Sequence, residues 1–458
     1  MPLLFVGAGI VIMLILLMWF KLDAFFALLI TSFVVGLLNA MDMLTILDSV
    51  LKGIGQTMGS IILILTFGAM LGKLIEESGA AHTITYKLTD MFGIKNIQYA
   101  ILITGFLVGL PMMYNASFLV MIPLIYTFAS TTKLPLMYLG IPLSATLSIA
   151  HGYLPPHPAP TYVSLVYGAD INQVLLLGLV PVIPACLLAG IALSRFFRKV
   201  DVRPPEELYR EKEFKREELP GLGRSVFTVV VPVLLMLVGA VIDILIGKDV
   251  DYHAWLLERM DNETAARIFS GFLVVFKFLS DPNMALMMAV LIGLYTLGIR
   301  QGRKVPELMK SMGKSVGAIA MIILIIAAGG AFSQVLKDSG VNEYIKEVAA
   351  GIHFNPLVLG FCVAAILRLA VGSATVATMT AAGILLPIVQ GTGVMPELMV
   401  LATGSGSLLF SHFNDIGFWM FKEYYNVSIR QTFAIWTVME SIVGLVGLGG
   451  ALLLNWIL

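Results

Sequence analysis

Two polar segments within apolar sequence contain the residue types that could bind an anion or carry a proton. The first reads HGYLPPHPAP and contains His151, Gly152 and His157 among four prolines. Proline lacks a backbone N–H and interrupts a helix, and the helix ends exposed at such a break can bind ions and carboxylates. Imidazole can donate to an anion or accept a proton near neutral pH. We expect these three residues to contact a ligand, with capping or packing of a kinked helix as the alternative.

The second segment reads SHFNDIGF and contains His412, Asn414 and Asp415. Ionisable residues at membrane depth are rare and costly, and are functional candidates by default. We expect His412 and Asn414 to contact the ligand. The candidates for binding a proton are Asp415, His151 and His412. Asp415 has two alternative interpretations, as the partner of a nearby Lys or Arg and as a residue at the membrane edge near Lys422.

Each polar segment follows a hydrophobic segment that small and polar residues interrupt. The first of these reads GFLVGLPMMYNASFLVMIP and has Asn115 and Ser117 in its middle. An amide can pair with both the donors and the acceptors of a hydroxylated ligand. We expect both side chains to contact such a ligand, and hydrogen bonding between helices is the alternative.

The second interrupted segment reads RLAVGSATVATMTAAGILLP and begins at Arg368. A guanidinium can bind a carboxylate through two parallel hydrogen bonds. It could equally neutralise Asp415 or extend to a membrane interface. The small, hydroxyl-rich stretch that follows would suit a polyol or a carboxylate and contains Gly372, Ser373 and Thr375. The alternative is that these hydroxyls bond to their own helix backbone.

The composition places these segments in a membrane protein. The chain has 458 residues, of which 58% are hydrophobic and 13% are charged, whereas soluble proteins carry roughly 25% charged residues. The net charge is zero, so nothing points to a nucleic-acid partner. Cys186 and Cys362 lie in apolar runs, and we expect both to be buried free thiols. Since no HExxH, P-loop or GxSxG motif is present, we expect neither an enzyme nor a bound metal or cofactor.

Apolar runs long enough to cross a bilayer recur along the whole chain. The predicted spans are Leu3–Phe20, Ala24–Ala40, Gly53–Ile75, Leu136–Val163, Val174–Ser194, Val226–Ile246, Met284–Ile299, Val316–Leu336, Met399–Phe418 and Thr432–Trp456. The first lacks the basic region of a signal peptide, so we expect it to be retained. The last contains Glu440, for which we expect a structural role.

A repeat divides the chain into two halves. LGKLIEESG resembles FSQVLKDSG, and the spacing from Gly79 to Gly340 equals that from His151 to His412. Basic loops at 195–224 and 300–314 favour the cytoplasm, and an odd number of crossings in each half would invert the second copy. We predict a first repeat over 1–195, a cytoplasmic linker over 196–224 and a second repeat over 225–458. The predicted re-entrant hairpins are 100–130 and 357–388, and the predicted broken helices are 136–163 and 399–418.

Broken helices at matching positions of two membrane repeats mark the binding site of a secondary transporter. The predicted fold class is therefore an all-α polytopic membrane protein, built as an inverted repeat with two re-entrant hairpins and two broken helices. Alternating access between two inverted halves fits this pattern better than a channel or a membrane metalloenzyme, which are the alternatives.

At these residues the chain resembles the gluconate permease family of bacterial proton symporters, within the ion transporter superfamily. The resemblance covers essentially the whole chain and rests on HGYLPPHPAPT, GSATVATMTAAGI, GSGSLLFSHFNDIGFWMFKEYY and FLSDPNMAL. It implies a scaffold domain and an elevator-type transport domain, usually in a homodimer, in the bacterial cytoplasmic (inner) membrane. It also implies import of gluconate or a related sugar acid by proton symport.

One departure from the family leaves the substrate and the coupling ion open. Members often carry an acid in the first hairpin, where this chain reads MYNAS with Asn115. Asp415, His151 or His412 would then bind the proton. The alternative is a proton- or sodium-coupled carrier of another small carboxylate or amino acid, such as glycerate or D-serine, since the family also includes such carriers.

Overall fold

The structure is a computed structural model whose regular elements are helices. It describes residues 8–9, 11–13, 15–17, 19–200, 202, 219–247, 250–260, 262–340, 354–412 and 415–458, and no strand occurs among them. Eight of the described helices are long and apolar enough to cross a membrane. A ninth span results if Ala80–Phe92 and Ile94–Gly109, bent by 111°, are counted together. The predicted all-α, multi-pass membrane fold is confirmed at this level.

The described part of the first half forms a run of helices with short connections. They are α1 (Ala24–Leu38), α2 (Met43–Ser78), α3 (Ala80–Phe92), α4 (Ile97–Gly109), α5 (Tyr114–Thr132), α6 (Leu136–Tyr153), α7 (Pro158–Tyr167) and α8 (Ile171–Phe196). Those of the second half are α9 (Leu222–Ile246), α10 (Tyr252–Leu257), α11 (Glu263–Ser280), α12 (Pro282–Gln301), α13 (Val305–Ala318), α14 (Ala320–Asp338), α15 (Pro356–Val371), α16 (Ala374–Thr392), α17 (Pro396–Gly406), α18 (Ile416–Tyr424) and α19 (Ile429–Ile457).

Both halves end on the same order of elements. A pair of helices joined by a short turn (α4–α5, then α15–α16) is followed by a broken helix (α6–α7, then α17–α18) and a long closing helix (α8, then α19). The helices extend a few residues beyond the predicted bounds of the hairpins and broken helices. Parts of the predicted span Leu3–Phe20 and of the linker 196–224 lie outside the described residues. Inversion of the repeats, re-entry of the hairpins and the division into scaffold and transport domains stay predictions.

The breaks and turns have local causes. α6 ends before the Pro155–Pro156 pair, and α7 restarts with Pro158 in its first turn, where proline is tolerated. The α15–α16 turn requires the left-handed backbone of Gly372, whose φ is 82°. Ser373 then caps α16 by accepting the Val376 N–H at 3.3 Å.

Close approach of backbones holds the two broken helices and the second helix pair together. A Cβ added to Gly406 of α17 would lie 2.2 Å from the carbonyl oxygen of Phe361 in α15. One added to Gly404 would lie 2.7 Å from the carbonyl oxygen of Gly152 in α6. The end of α17 is thus wedged between α15 and the first break, where no larger residue fits.

The two cysteines differ in exposure. Cys186 in α8 is half-buried and Cys362 in α15 is exposed, and both are free thiols. The expectation of burial is therefore wrong for Cys362. An apolar run in a membrane protein can face lipid tails, which are as apolar as leucine, so hydropathy does not separate a lipid-facing position from the protein core.

Candidate functional site

A cavity of about 410 Å³ lies where the turns of both helix pairs meet both broken helices. Its wall includes the α4–α5 and α15–α16 turns, the end of α6, the start of α18 and one face of α19. Residues from both halves of the chain therefore share one wall. The predicted ligand and proton-binding residues that line this cavity are Asn115, His151, Arg368, Gly372, Ser373, Thr375 and Asp415.

Three helices begin at this wall. The first residues of α5, α16 and α18 are Tyr114, Ala374 and Ile416, and all three line the cavity. The start of a helix presents unpaired backbone N–H groups and the positive end of the helix dipole. Side chains of Ser373 and Asp415 cap α16 and α18, whereas α5 has no side-chain cap. This wall has the electrostatic character of an anion-binding site.

Arg368 and Asp415 form a salt bridge on the wall. The Arg368 side chain is 2% exposed and donates to Asp415 Oδ2, to Ser411 Oγ at 2.8 Å and to the carbonyl oxygen of Gly372. Because Gly372 belongs to the α15–α16 turn, one guanidinium joins that turn to the start of α18. Of the two alternatives for Arg368, the structure shows pairing with Asp415 and not extension to an interface.

Both oxygens of Asp415 accept hydrogen bonds. Oδ2 accepts from Arg368 and from Ser411 Oγ at 2.5 Å, and Oδ1 accepts from the Gly417 N–H at 2.9 Å. The Ser411 hydroxyl in turn accepts from Trp436 Nε1 at 2.8 Å. Asp415 thus pairs with Arg368 and caps α18, and this geometry weighs against its expected role as the carrier of a proton.

The two histidines of the first break lie at different depths: one lines the cavity and the other is buried behind it. His151 lines the cavity from the end of α6, and its Nδ1 lies 3.4 Å from Nδ1 of His157. His157 is buried behind it and is not part of the cavity wall. A hydrogen bond between two ring nitrogens requires one ring to donate and the other to accept. His157 is therefore placed to orient His151 and not to touch a ligand in this cavity.

The remaining predicted residues do not line the cavity in this conformation. Ser117 is buried and donates to the Met113 carbonyl oxygen, four residues before it, at 3.0 Å, which is a local bond and not the bond between helices given as its alternative. Gly152 packs against Leu408, since a Cβ there would lie 2.4 Å from Leu408 Cδ1. His412 is partly exposed and stands off the wall. Asn414 lies outside the described residues.

Four polar side chains of the described wall were not among the predicted ligands: Tyr114, Ser148, Trp436 and Glu440. Tyr114 and Ser148 were detectable, since one precedes Asn115 and the other lies one helical turn before His151. Glu440 was detectable as an acid in an apolar span. No sequence signal singled out Trp436. Among the described residues, no group of three or more His, Cys, Asp or Glu side chains could hold a metal ion.

A second cavity of about 720 Å³ adjoins the first and shares Met113, Asn115 and Ile322 with it. Its other wall carries basic and acidic side chains of α2 and α13, including Lys73 and Lys310. This charged wall includes residues of the basic segment 300–314, which we predict to be cytoplasmic and most of which forms α13 instead of the expected loop. The second cavity thus leads from the first cavity towards the predicted cytoplasmic side.

Comparison with known families places this geometry in context. The sequence model of the GntP family permeases matches residues 1–457. The chain belongs to the GntP permease family. This GntP permease chain is 43% identical over 458 residues to the high-affinity gluconate transporter of Escherichia coli (strain K12), covering 100% of both chains. It is also 43% identical over 458 residues to the Gnt-II system L-idonate transporter of that strain, with 100% of both covered.

These relatives are named as transporters, so the prediction that the GntP permease chain is not an enzyme is confirmed. Its fold is similar to that of the YdaH transporter of Alcanivorax borkumensis, with a TM-score of 0.66 over 97% of this chain and 98% of the other. At 16% identity this likeness concerns the fold alone. The chain is therefore a multi-pass membrane protein with a fold found in a solved transporter.

Proposed function

We propose that this GntP-family protein imports gluconate or a related sugar acid by proton symport. The observation that carries the proposal is the meeting of three helix N-termini and Arg368 at one cavity shared by both halves of the chain. The proposal also places the protein in the bacterial cytoplasmic membrane as an elevator-type homodimer.

The carboxylate of the substrate would bind at the start of α5. No side chain caps the start of α5, and its first two residues, Tyr114 and Asn115, line the cavity. Backbone N–H groups at a helix start bind carboxylate well. Arg368 adds positive charge from the opposite turn, although most of its donors serve Asp415, Ser411 and Gly372. In this arrangement Arg368 mainly fixes the α15–α16 turn and secondarily attracts the anion.

Short polar side chains would form hydrogen bonds with the hydroxyls of the substrate. Three segments of the cavity wall supply these side chains: Asn115 lies in α5, Ser148 in α6, and Ser373 and Thr375 at the start of α16. The cavity volume of about 410 Å³ falls in the range of about 300–1,000 Å³ that small-molecule sites occupy. Gluconate and L-idonate, which name the substrates of two relatives, are both six-carbon polyhydroxy acids. One carboxylate and a chain of hydroxyls match this wall.

Proton coupling would make transport of the anion electroneutral. A monocarboxylate that enters with one proton moves no net charge, and a cavity that holds the anion must then hold the proton near it. Apart from Tyr114, His151 and Glu440 are the ionisable side chains of the described wall that are not engaged in the Arg368–Asp415 salt bridge. The second cavity would provide release to the cytoplasm, so this conformation would be the inward-facing one.

The test is uptake of radiolabelled gluconate into proteoliposomes with an inward proton gradient and no sodium. We expect accumulation that an uncoupler abolishes and that unlabelled gluconate and L-idonate compete away. Glycerate and D-serine should compete poorly, because they offer fewer hydroxyl partners to the wall. Absence of proton-driven uptake in vesicles that hold folded protein, with uptake appearing on addition of sodium or of D-serine as substrate, would overturn the proposal. Vesicles that contain folded Arg368→Gln protein serve as the control, because this variant lacks the guanidinium of the cavity wall.

A further inference from the structure

Glu440 is an acid of the cavity wall that the salt bridge does not use. Its side chain is 1% exposed, and its Oε1 has no hydrogen-bond partner within the part of the chain that the structure describes. A buried carboxylate without a counter-ion is costly, whereas the neutral acid is tolerated. Burial therefore favours the protonated, neutral form of the Glu440 carboxyl group over the ionised form.

Glu440 lines the cavity from α19. Trp436 and Glu440 are four residues apart on one face of that helix, and both line the cavity. The turn just before Glu440 is a π-helical segment, Phe433–Thr437, and such bulges are frequent at functional sites. One turn further along the same face, Gly444 packs so closely that a Cβ would lie 2.7 Å from the Ser405 carbonyl oxygen. The face is thus clamped against α17, and Glu440 has a fixed position.

Among the described residues around Glu440, Arg368 is the one permanent cation, and it is already paired. The charged and titratable groups that face this stretch of α19 are Arg368, Asp415, His151, Tyr114 and Tyr153. Arg368 donates to Asp415, Ser411 and Gly372, so its charge is balanced by the Asp415 carboxylate. The Ser148 hydroxyl forms a hydrogen bond with the Glu440 carboxyl group but carries no charge. Among the described residues, an ionised Glu440 therefore has one hydroxyl partner and no cation of its own to pair with.

We propose that Glu440 is the proton-binding residue of this transporter and is protonated whenever the cavity holds the anionic substrate. The inference rests on the proposed function. An ionised Glu440 and a substrate carboxylate in one cavity would repel each other, so each favours the state in which the other's charge is cancelled. Proton and anion then bind cooperatively, which is the condition for symport. Asp415 cannot play this part while both of its oxygens accept from fixed donors.

The test compares Glu440→Gln with the unchanged protein in two assays. With one proton per gluconate, a gradient of one pH unit can drive about tenfold accumulation. We expect the unchanged protein to reach this level and Glu440→Gln to reach no accumulation. Exchange of labelled for unlabelled gluconate, which needs no net proton movement, should persist in the variant. The matched control is Glu397→Gln, a buried acid outside the cavity that accepts the Asp170 N–H at 3.0 Å. It should accumulate gluconate normally.

A second measurement makes the outcome decisive. Calorimetric titration of gluconate into purified protein, in buffers of different ionisation enthalpy, counts the protons taken up on binding. At a pH alkaline enough for Glu440 to be ionised before gluconate binds, we expect one proton for the unchanged protein and none for Glu440→Gln. Proton uptake that persists in the variant, proton-driven accumulation by the variant, or folded variant that binds no gluconate would each overturn the inference. If the unchanged protein neither accumulates nor exchanges gluconate, the proposed function fails instead, independently of Glu440.

Discussion

Arg368 and Asp415 form a buried ion pair that joins the α15–α16 turn to the start of α18. The side chains are 2% and 15% exposed, and Ser411 bonds to both partners. The pair thus ties the second helix pair, α15–α16, to the second broken helix, α17–α18, at the cavity wall. Charge neutrality within the pair also leaves the helix N-termini as the net positive feature that faces an anion.

The first prediction concerns this pair. Removal of one partner of a buried ion pair leaves the other charge uncompensated and costs roughly 3–5 kcal/mol. We expect Asp415→Asn and Arg368→Gln each to lower the free energy of unfolding, toward the lower end of that range because Asp415 is partly exposed. Thermal unfolding in detergent measures the loss. The double variant should recover part of it, because neither charge is then left alone.

Two outcomes would contradict this account of the pair. Losses that simply add in the double variant would show that the residues do not act as a unit. Loss of the pH dependence of gluconate uptake in Asp415→Asn, with accumulation abolished but exchange kept, would make Asp415 the proton carrier after all. We expect weaker uptake in this variant with its pH dependence intact.

A second prediction compares two threonines one helical turn apart in α16. Thr375 lines the cavity, whereas Thr378 is buried and donates to the Ala374 carbonyl oxygen at 2.7 Å. Loss of one neutral hydrogen bond to the substrate should raise the KM for gluconate about fivefold in Thr375→Val. Thr378→Val makes the same substitution at a position outside the cavity wall and should leave the KM within about twofold of that of the unchanged protein. Equal effects of the two changes would remove Thr375 from the site.

A third prediction tests the close packing that shapes the cavity. Gly406→Ala places a methyl group against the Phe361 carbonyl oxygen, which cannot move without α15. Overpacking of this kind typically costs about 1–3 kcal/mol, and we expect a lower unfolding temperature together with weaker gluconate uptake. Gly449→Ala is the control, because nothing lies within 4 Å of a Cβ there. An unchanged unfolding temperature for Gly406→Ala would show that the two helices are not packed this closely.

The sequence was informative where local chemistry decides the structure. Prolines predicted the first break, the polar segment with His412 and Asp415 predicted the second, and small and polar residues predicted both turns. The sequence also allowed the pairing of Arg368 with Asp415 as one alternative. Ser117 and Gly152 show where such reasoning stops. Each lies next to or near a cavity residue in the sequence, but neighbouring residues of a helix project from different faces, and these two project away from the cavity. Which face meets the cavity depends on packing between the halves, which no single segment encodes.

Glu440 shows a second limit of prediction from sequence, which concerns partners that are distant along the chain. An acid in an apolar span signals either function or a structural partner, and the sequence gives no means of finding a partner that is distant along the chain. The structure shows that the nearby cation, Arg368, is bound to Asp415 instead. The same reasoning applies to Cys362, since hydropathy does not distinguish lipid from protein interior.

The central claim is that a sugar acid occupies the cavity between the two turns. It is tested most directly by substrate protection of a cysteine introduced at Thr375, in an active background in which Cys186 and Cys362 are replaced by serine. At gluconate concentrations tenfold above its Kd, occupancy should slow labelling of Thr375→Cys by a charged thiosulfonate about tenfold. Gln56→Cys, in a separate polar cavity beside α2, should label at the same rate with and without gluconate. Equal labelling of Thr375→Cys with and without gluconate would contradict the account.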